Sequence, residues 1–363
     1  MKILYAIQGT GNGHLSRARD IVPVLARYGE LDLVVSGTQA EVDFPFPIKY
    51  RYNGLSLIFG TKGGVDVKAT YRQSNLRRLL QEIRNLPVEQ YHLVITDFEP
   101  VSAWACYNLG KPCIGLSHQA ALNFREAPRP LKFDPVGQIT LRHYAPATTR
   151  YGFHFKSYHP DIFTPVIRRQ IRELEVSHDG HYTVYLPAYD DQRIIKVLSQ
   201  IGGVEWQVFS KHSREAFTQR NVSIQHIHNE RFLRSIAGAE GVLCGAGFET
   251  PAEVLHLKKK LMTIPMKGQY EQQCNAAALK EMGVPVLKNL KSKRVRKIEK
   301  WVAGKNTVQV DYPDQTEEIL QMIIDKHGFG ELTTADNAPR IPGVQEFERL
   351  SVRKILAQLA KGK

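Results

Sequence analysis

Short apolar runs recur along the first 160 residues, each followed by a stretch of helical periodicity. The strand-like runs are KILYAI, LDLVVS, HLVITD and KPCIGL, and helical patterns fall near residues 13–28, 67–86 and 99–109. This alternation predicts a parallel sheet covered by helices on both faces. The stretch FTPVIRRQIRELEVSHDG, rich in Pro, Arg and Glu, then reads as a connector, and the alternation restarts. YTVYLP, EWQVFS, NVSIQHI, GVLC and KLMTIP alternate with helices expected near 190–200, 213–219, 230–237, from 251, and from Gln269 to Met282, where Gly283 stops the last. The expected organisation is an α/β protein of two doubly wound domains, 1–163 and 181–340, joined by a linker at 164–180. Two such domains facing each other leave a cleft between the carboxyl ends of their sheets, where ligands bind. Residues 40–75 are too long and too rich in Pro and Gly for a simple connection, and loops of that kind at a sheet's carboxyl end often carry function.

Length and composition agree with two soluble domains: 363 residues, 42% hydrophobic and 23% charged. No apolar run reaches the 18 or so residues of a membrane span and the N-terminus enters a strand directly, so a cytoplasmic enzyme is the expectation. Cys106, Cys113, Cys244 and Cys274 are widely spaced with no C-x-x-C pair, which suits buried free thiols and neither a zinc site nor a disulfide framework. The net charge of +13 admits nucleic acid, an anionic membrane surface or a polyanionic substrate as partner. Its densest run, KNLKSKRVRKIEKW, places Leu290, Val295 and Ile298 at helical spacing and equally fits a solvated helix face.

The chemistry starts at residues 8–16, QGTGNGHLS. A strand, then Gly9, Gly11 and Gly13, then a helix, is the layout of a phosphate-cradling turn. Dinucleotide binding is disfavoured, because His14 stands where the third glycine is due and the second strand ends in Ser36 and Gly37 with no carboxylate for a ribose. A Walker loop is excluded by the lack of Gly-Lys-Ser/Thr. What remains is a turn that delivers His14 to the first turn of a helix.

A second constellation, GVLCGAGFETPAEVLHL, repeats that logic, with a helix expected to open at Thr250 as N-cap, Pro251 at its first position and Glu253 at its third. The helix start would bind an anion. Thr250 and Glu253 also form a T-x-x-E capping box, which needs no ligand. Downstream, Glu271, Gln272 and Asn275 fall within about a 100° arc at the start of a helix, a grouping that suits a ligand with several hydroxyls.

The pairing of G-x-G-x-G-H with FLRSIAGAEGVLCGAGFETPAEVL and IPMKGQYEQQCNAAAL resembles nucleotide-sugar glycosyltransferases of the GT-B fold, with two facing Rossmann-like domains. The similarity is to family 28, typified by the peptidoglycan-precursor N-acetylglucosaminyltransferase, and to the related UDP-glucuronosyl and plant glucosyl transferases. The resemblance implies that Gly247, Phe248, Glu249, Thr250 and Glu253 grip the diphosphate and ribose, and that Glu271, Gln272 and Asn275 read the donor sugar. It also implies that His14 follows the glycine turn as the catalytic histidine and that Asp97, in LVITDFEP, pairs with it. A histidine at a helix N-terminus, oriented by a carboxylate, is a fit general base. Two departures stand out. Gly245 occupies the place of a diphosphate-contacting histidine of the plant enzymes, and LPAYDDQRI replaces a glycine-rich loop, leaving Arg193 as the residue suited to a diphosphate role. Adjacent Asp190 and Asp191 read as helix N-terminal residues, so no metal and no cofactor are expected.

The implied activity is inverting transfer from a nucleotide-diphosphate sugar, UDP by resemblance, to an unidentified glycan, lipid or small-molecule hydroxyl. His118, in SHQAALNFREAPRP, is a candidate on the acceptor side. A nucleotide-sugar 2-epimerase on the same fold is the nearest alternative. A basic nucleic-acid binder is the non-enzymatic one, opposed by the spread of the basic residues and the absence of an aromatic RNA-binding signature. Residues 344–360 carry Phe347, Leu350, Ile355 and Leu359 on one stripe beside Arg349, Arg353 and Lys354. That pattern fits either a helix crossing back to the first domain or one lying on an anionic membrane face.

Overall fold

The computed structural model describes residues 1–37, 44–54, 59–60, 64–65, 76–132 and 134–328. The first region runs β1 (Lys2–Gln8), α1 (Asn12–Leu25), β2 (Glu30–Ser36), β3 (Tyr50–Tyr52), a ribbon of β4 (Phe59–Gly60) and β5 (Gly64–Val65), α2 (Leu76–Asn85), β6 (Leu93–Asp97), α3 (Pro100–Asn108), β7 (Ile114–Ser117), α4 (His118–Ala121), α5 (Pro135–His143), β8 (Thr149–Phe153) and β9 (Ile162–Phe163). Seven of these strands form one sheet in the order β3-β2-β1-β6-β7-β8-β9, every pair parallel. Strand alternation divides β1 between two cores: Ile3, Tyr5 and Ile7 pack with Leu15, Ala18 and Ile21 of α1, and Leu4 and Ala6 with Leu79, Ile83 and Val101 on the opposite face. A strand buried on both faces is what a parallel sheet between helix layers requires.

The second region runs α6 (Arg169–Arg172), β10 (His181–Tyr185), α7 (Asp191–Leu198), β11 (Glu205–Ser210), β12 (Phe217–Gln219), β13 (Val222–His226), α8 (Asn229–Gly238), β14 (Gly241–Gly245), α9 (Glu249–His256), β15 (Lys260–Ile264), α10 (Tyr270–Glu281), α11 (Val295–Ala303) and α12 (Thr316–His327). Its sheet has the order β12-β13-β11-β10-β14-β15 and is parallel except where β12 meets β13. The helix expected at 213–219 is not formed. Phe217–Gln219 turns at Arg220, which takes φ 57°, and pairs antiparallel with β13 as an exposed edge. With one aromatic and no apolar stripe, that segment has nothing to bury as a helix.

The first part of the stretch 164–180 is packed, with Val166, Ile167 and Ile171 buried in the largest apolar cluster, which includes residues of both regions, while residues 175–180 are exposed. Helix α12 leaves the second region and lies on α1, where Tyr28 donates to Gln321 Oε1 at 2.7 Å and Arg27 pairs with Glu317 at 2.9 Å. The end of the basic run forms α11 (Val295–Ala303) with Ile298 and Trp301 inward and Arg296, Lys297 and Lys300 exposed, a solvated cationic face. All four cysteines are buried free thiols. Among the described residues no helix is long and apolar enough to cross a membrane. The C-terminal stretch 344–363 and most of the 53–75 loop lie outside the described residues.

Each sheet has a switch point. β1 has β2 on one side and β6 on the other, and β10 has β11 on one side and β14 on the other, so the chain leaves these neighbours in opposite directions. The crevices so formed lie beyond Gln8 and Asp97 in the first sheet and beyond Gly245 in the second.

Candidate active site

The turn after β1 starts α1 without a side-chain cap. Gly11 is the N-cap at φ 96°, a left-handed conformation that favours glycine. His14 follows in the first helical turn, and Asp97 ends the neighbouring strand β6. Their side chains meet with His14 Nδ1 2.8 Å from Asp97 Oδ1. A carboxylate only accepts, so Nδ1 carries the proton and Nε2 keeps its lone pair, 3.4 Å from the amide nitrogen of Gln119. Asp97 is fully buried; burial alone would raise its pKa, but Arg17 and then His14 outweigh it and hold the carboxyl below its ordinary value.

Arg17, which the sequence did not single out, organises this pair. It is 1% exposed and its Nη2 donates to both oxygens of Asp97 at 2.8 Å each, while Nη1 donates to Glu249 Oε1 at the start of α9. Burial would lower its pKa, yet Asp97 and Glu249 raise it above the ordinary arginine value. The available signal was spacing: three residues past His14, it shares that residue's helix face. Gly13 explains the close approach of the two regions, because a Cβ there would come 2.9 Å from Glu249 Cγ. Thus the glycine turn accommodates a carboxylate of the second region against a helix N-terminus. Glu249 keeps a fifth of its side chain open to solvent, but burial pushes its pKa up to about 7; Arg17 opposes the shift, and Glu253 and Asp97 add to it.

On the second side, the capping-box expectation is corrected. α9 begins at Glu249 with Phe248 as N-cap and no side-chain cap, so Thr250 and Pro251 are its second and third residues. Proline is tolerated throughout a first turn whose N–H groups have no intrahelical partner, so Pro251 does not fix the start. Glu253 is 3% exposed and is taken by Arg168 from the connector, whose Nε donates to Oε1 at 2.5 Å and Nη2 to Oε2 at 2.9 Å. Arg168 Nη1 also donates to Asn229 Oδ1 at 3.3 Å. Gly247 has open space where a side chain would stand.

The downstream group splits. Asn275 is buried, accepts from His118 Nε2 at 2.6 Å and donates to the Ala246 carbonyl at 3.1 Å. His118 is 1% exposed, with its Nδ1 2.8 Å from the Phe153 carbonyl and its ring stacked on Phe248 at 3.9 Å. Burial lowers its pKa. His118 therefore joins the two regions rather than facing an open pocket. Glu271 accepts from Gln119 Nε2 at 3.1 Å, which sets it beside the His14 pair. Gln272 turns back on its own loop and accepts from Met266 N at 2.9 Å. Arg193 is not brought into the group: its Nε donates to the Leu290 carbonyl at 3.0 Å and its guanidinium lies over Tyr189. Gly9 is crowded against β2, its N–H donating to the Ser36 carbonyl at 2.6 Å.

Two similar crevices face each other across the two regions, bridged by Arg17–Glu249 and His118–Asn275. Residues 1–304 match the model of glycosyl transferase family 1, and the chain belongs to that family. Its fold is that of GT-B glycosyltransferases, two Rossmann-like domains. MurG of Acinetobacter baumannii is 13% identical with TM-score 0.53, covering 90% of this chain and 99% of its own. A UDP-glucosyltransferase from Polygonum tinctorium is 13% identical with TM-score 0.55, covering 98% of each chain. Phytolacca americana UGT2, solved with UDP-2-fluoro-glucose and pterostilbene, is 13% identical with TM-score 0.53 over 99% of this chain and 100% of its own. A search of curated proteins gave no match.

Proposed function

We propose that the chain is an inverting glycosyltransferase that moves a sugar from a UDP-linked donor to an acceptor hydroxyl, with His14 as general base. The observation that carries this reading is His14 held through Nδ1–H by a buried, ionised Asp97, with Nε2 left as the basic atom beside Gln119. The acceptor hydroxyl gives its proton to Nε2 as its oxygen attacks the anomeric carbon. The bond from that carbon to the diphosphate oxygen breaks, and one direct displacement inverts the configuration. Asp97 stabilises the imidazolium so formed. The donor sits in the second crevice, where Gly247 leaves room and the uncapped first turn of α9 offers N–H groups to the departing diphosphate. The dipole of α9 stabilises that charge without a bound metal. UDP is supported by the Phytolacca protein's UDP-2-fluoro-glucose complex.

The test is product analysis. UDP-sugars incubated with the protein and lysate lipids or glycans should yield a glycosylated acceptor of inverted configuration and free UDP, at an unchanged rate in EDTA. An isomerised or eliminated sugar formed from UDP-N-acetylglucosamine alone would instead make the protein an epimerase.

A further inference from the structure

The face of the first sheet turned away from α1 holds a pocket that the proposed chemistry leaves unused. Thr96, Gly115, Ser117, Asn123 and Arg150 line it beside Phe98; it is a shallow site whose ≈ 250 Å³ is mostly open mouth, with enclosed room for about one water. It begins one residue before Asp97 on β6 and abuts α4, which carries His118 and Gln119. A Cβ at Gly115 would press on Ala147 Cβ at 3.1 Å and touch Arg150 Cγ at an ordinary contact distance of 3.8 Å, so the arginine stem packs directly over this strand.

Arg150 differs from the two buried arginines already described. Arg17 and Arg168 each hold a carboxylate through more than one hydrogen bond. Arg150 is half-buried, its guanidinium has no hydrogen-bond or ion-pair partner among the described residues, and the positive charge of Arg142 repels it. His143, on the same helix as Arg142, feels both cations. A cation taken partly out of water with five N–H donors and no acceptor is costly unless something supplies the acceptor. The other polar groups of the lining leave donors as well. Ser117 Oγ accepts from Ala120 N at 3.0 Å, which frees its O–H to donate, while Thr96 Oγ1 is engaged with Glu99.

We propose that this pocket binds an anionic oxygen group, a phosphate or carboxylate, on the acceptor. The proposal rests on the reading of the first region as the acceptor side. A guanidinium fork matches two oxygens of such a group, and Ser117 reaches a third.

The probe is phenyl phosphate, titrated by calorimetry into the full-length protein saturated with UDP, with inorganic phosphate in parallel. Phenyl phosphate should bind at least as tightly as inorganic phosphate, and Arg150→Gln should weaken both by roughly tenfold or more while leaving UDP affinity unchanged. In the unaltered protein, phenyl phosphate should also slow phenylglyoxal modification of Arg150, read by peptide mass spectrometry, so the proposal is testable even if the variant misfolds. Binding of inorganic phosphate with exclusion of the ester would overturn the acceptor assignment and leave a free-ion site. No saturable binding of either probe, or equal binding by Arg150→Gln, would overturn the pocket itself. Failure to bind UDP would count against the transferase reading alone.

Discussion

The two strand-to-helix crevices start from the same backbone plan and end in different electrostatic states. Both α1 and α9 begin without a side-chain cap. At α1 the space is filled: Glu249 reaches in from the other region, Arg17 joins it to Asp97, and Asp97 joins His14. At α9 the space beside Gly247 stays open, and Glu253, which stood ready to cap the helix, is bound to Arg168. One crevice is a pre-assembled set of charges, the other an open helix start. On the proposed reading the two divide the work, with proton chemistry at one site and anion binding at the other.

The largest effect should come from breaking that charge set. Arg17→Ala leaves Glu249 without its cation and Asp97 held by His14 alone, and removing one partner of a buried ion pair costs about 3–5 kcal/mol. Thermal or denaturant unfolding should show this loss, and Arg17→Ala combined with Asp97→Asn should recover part of it; no recovery would mean that Arg17 acts through packing alone. Next in size, His14→Ala should lower turnover by roughly 100-fold, or about 2.7 kcal/mol, with UDP affinity nearly intact. Retained turnover would remove His14 from the mechanism.

A third prediction concerns pH. The Glu249 carboxyl is pushed up to about 7 from an ordinary 4.5, so the folded chain holds a proton there that the unfolded chain has lost. Its contribution to unfolding free energy is greatest at and below pH 4.5 and declines as pH rises to about 7. The stability difference between wild type and Glu249→Gln should fall through that window and be flat outside it. His118 and His154, whose pKa values burial lowers, are present in both proteins and cancel from the difference. The smallest effect should be at Thr250. Because it caps nothing, Thr250→Ala should change stability by less than about 0.5 kcal/mol, against about 1 kcal/mol for a true N-cap.

What the sequence disclosed follows the range of the interactions involved. The parallel sheet, the glycine turn and the delivery of His14 to a helix start follow from local pattern, whereas the pairing of His14 with Asp97 is implied by the family resemblance. The partners of Glu249 and Glu253 do not: Arg17 lies 232 residues from one and Arg168 lies 85 from the other, and a lone arginine in a helix or connector announces no partner. The capping box misled for a related reason, since a local hydrogen-bond motif lost to a distant cation. The short β12 was missed because three exposed edge residues and a turn carry no apolar period at all.

Helix α12 lies beyond residue 304, where the family match ends, yet Ile319, Leu320, Ile323 and Ile324 share one buried cluster with Leu15, Ile21 and Leu25 of α1. During synthesis, then, α1 leaves the ribosome long before Thr316–His327, its cover, has been made. The first sheet can assemble early, but its outer layer stays incomplete, with apolar surface open to chaperones and to aggregation.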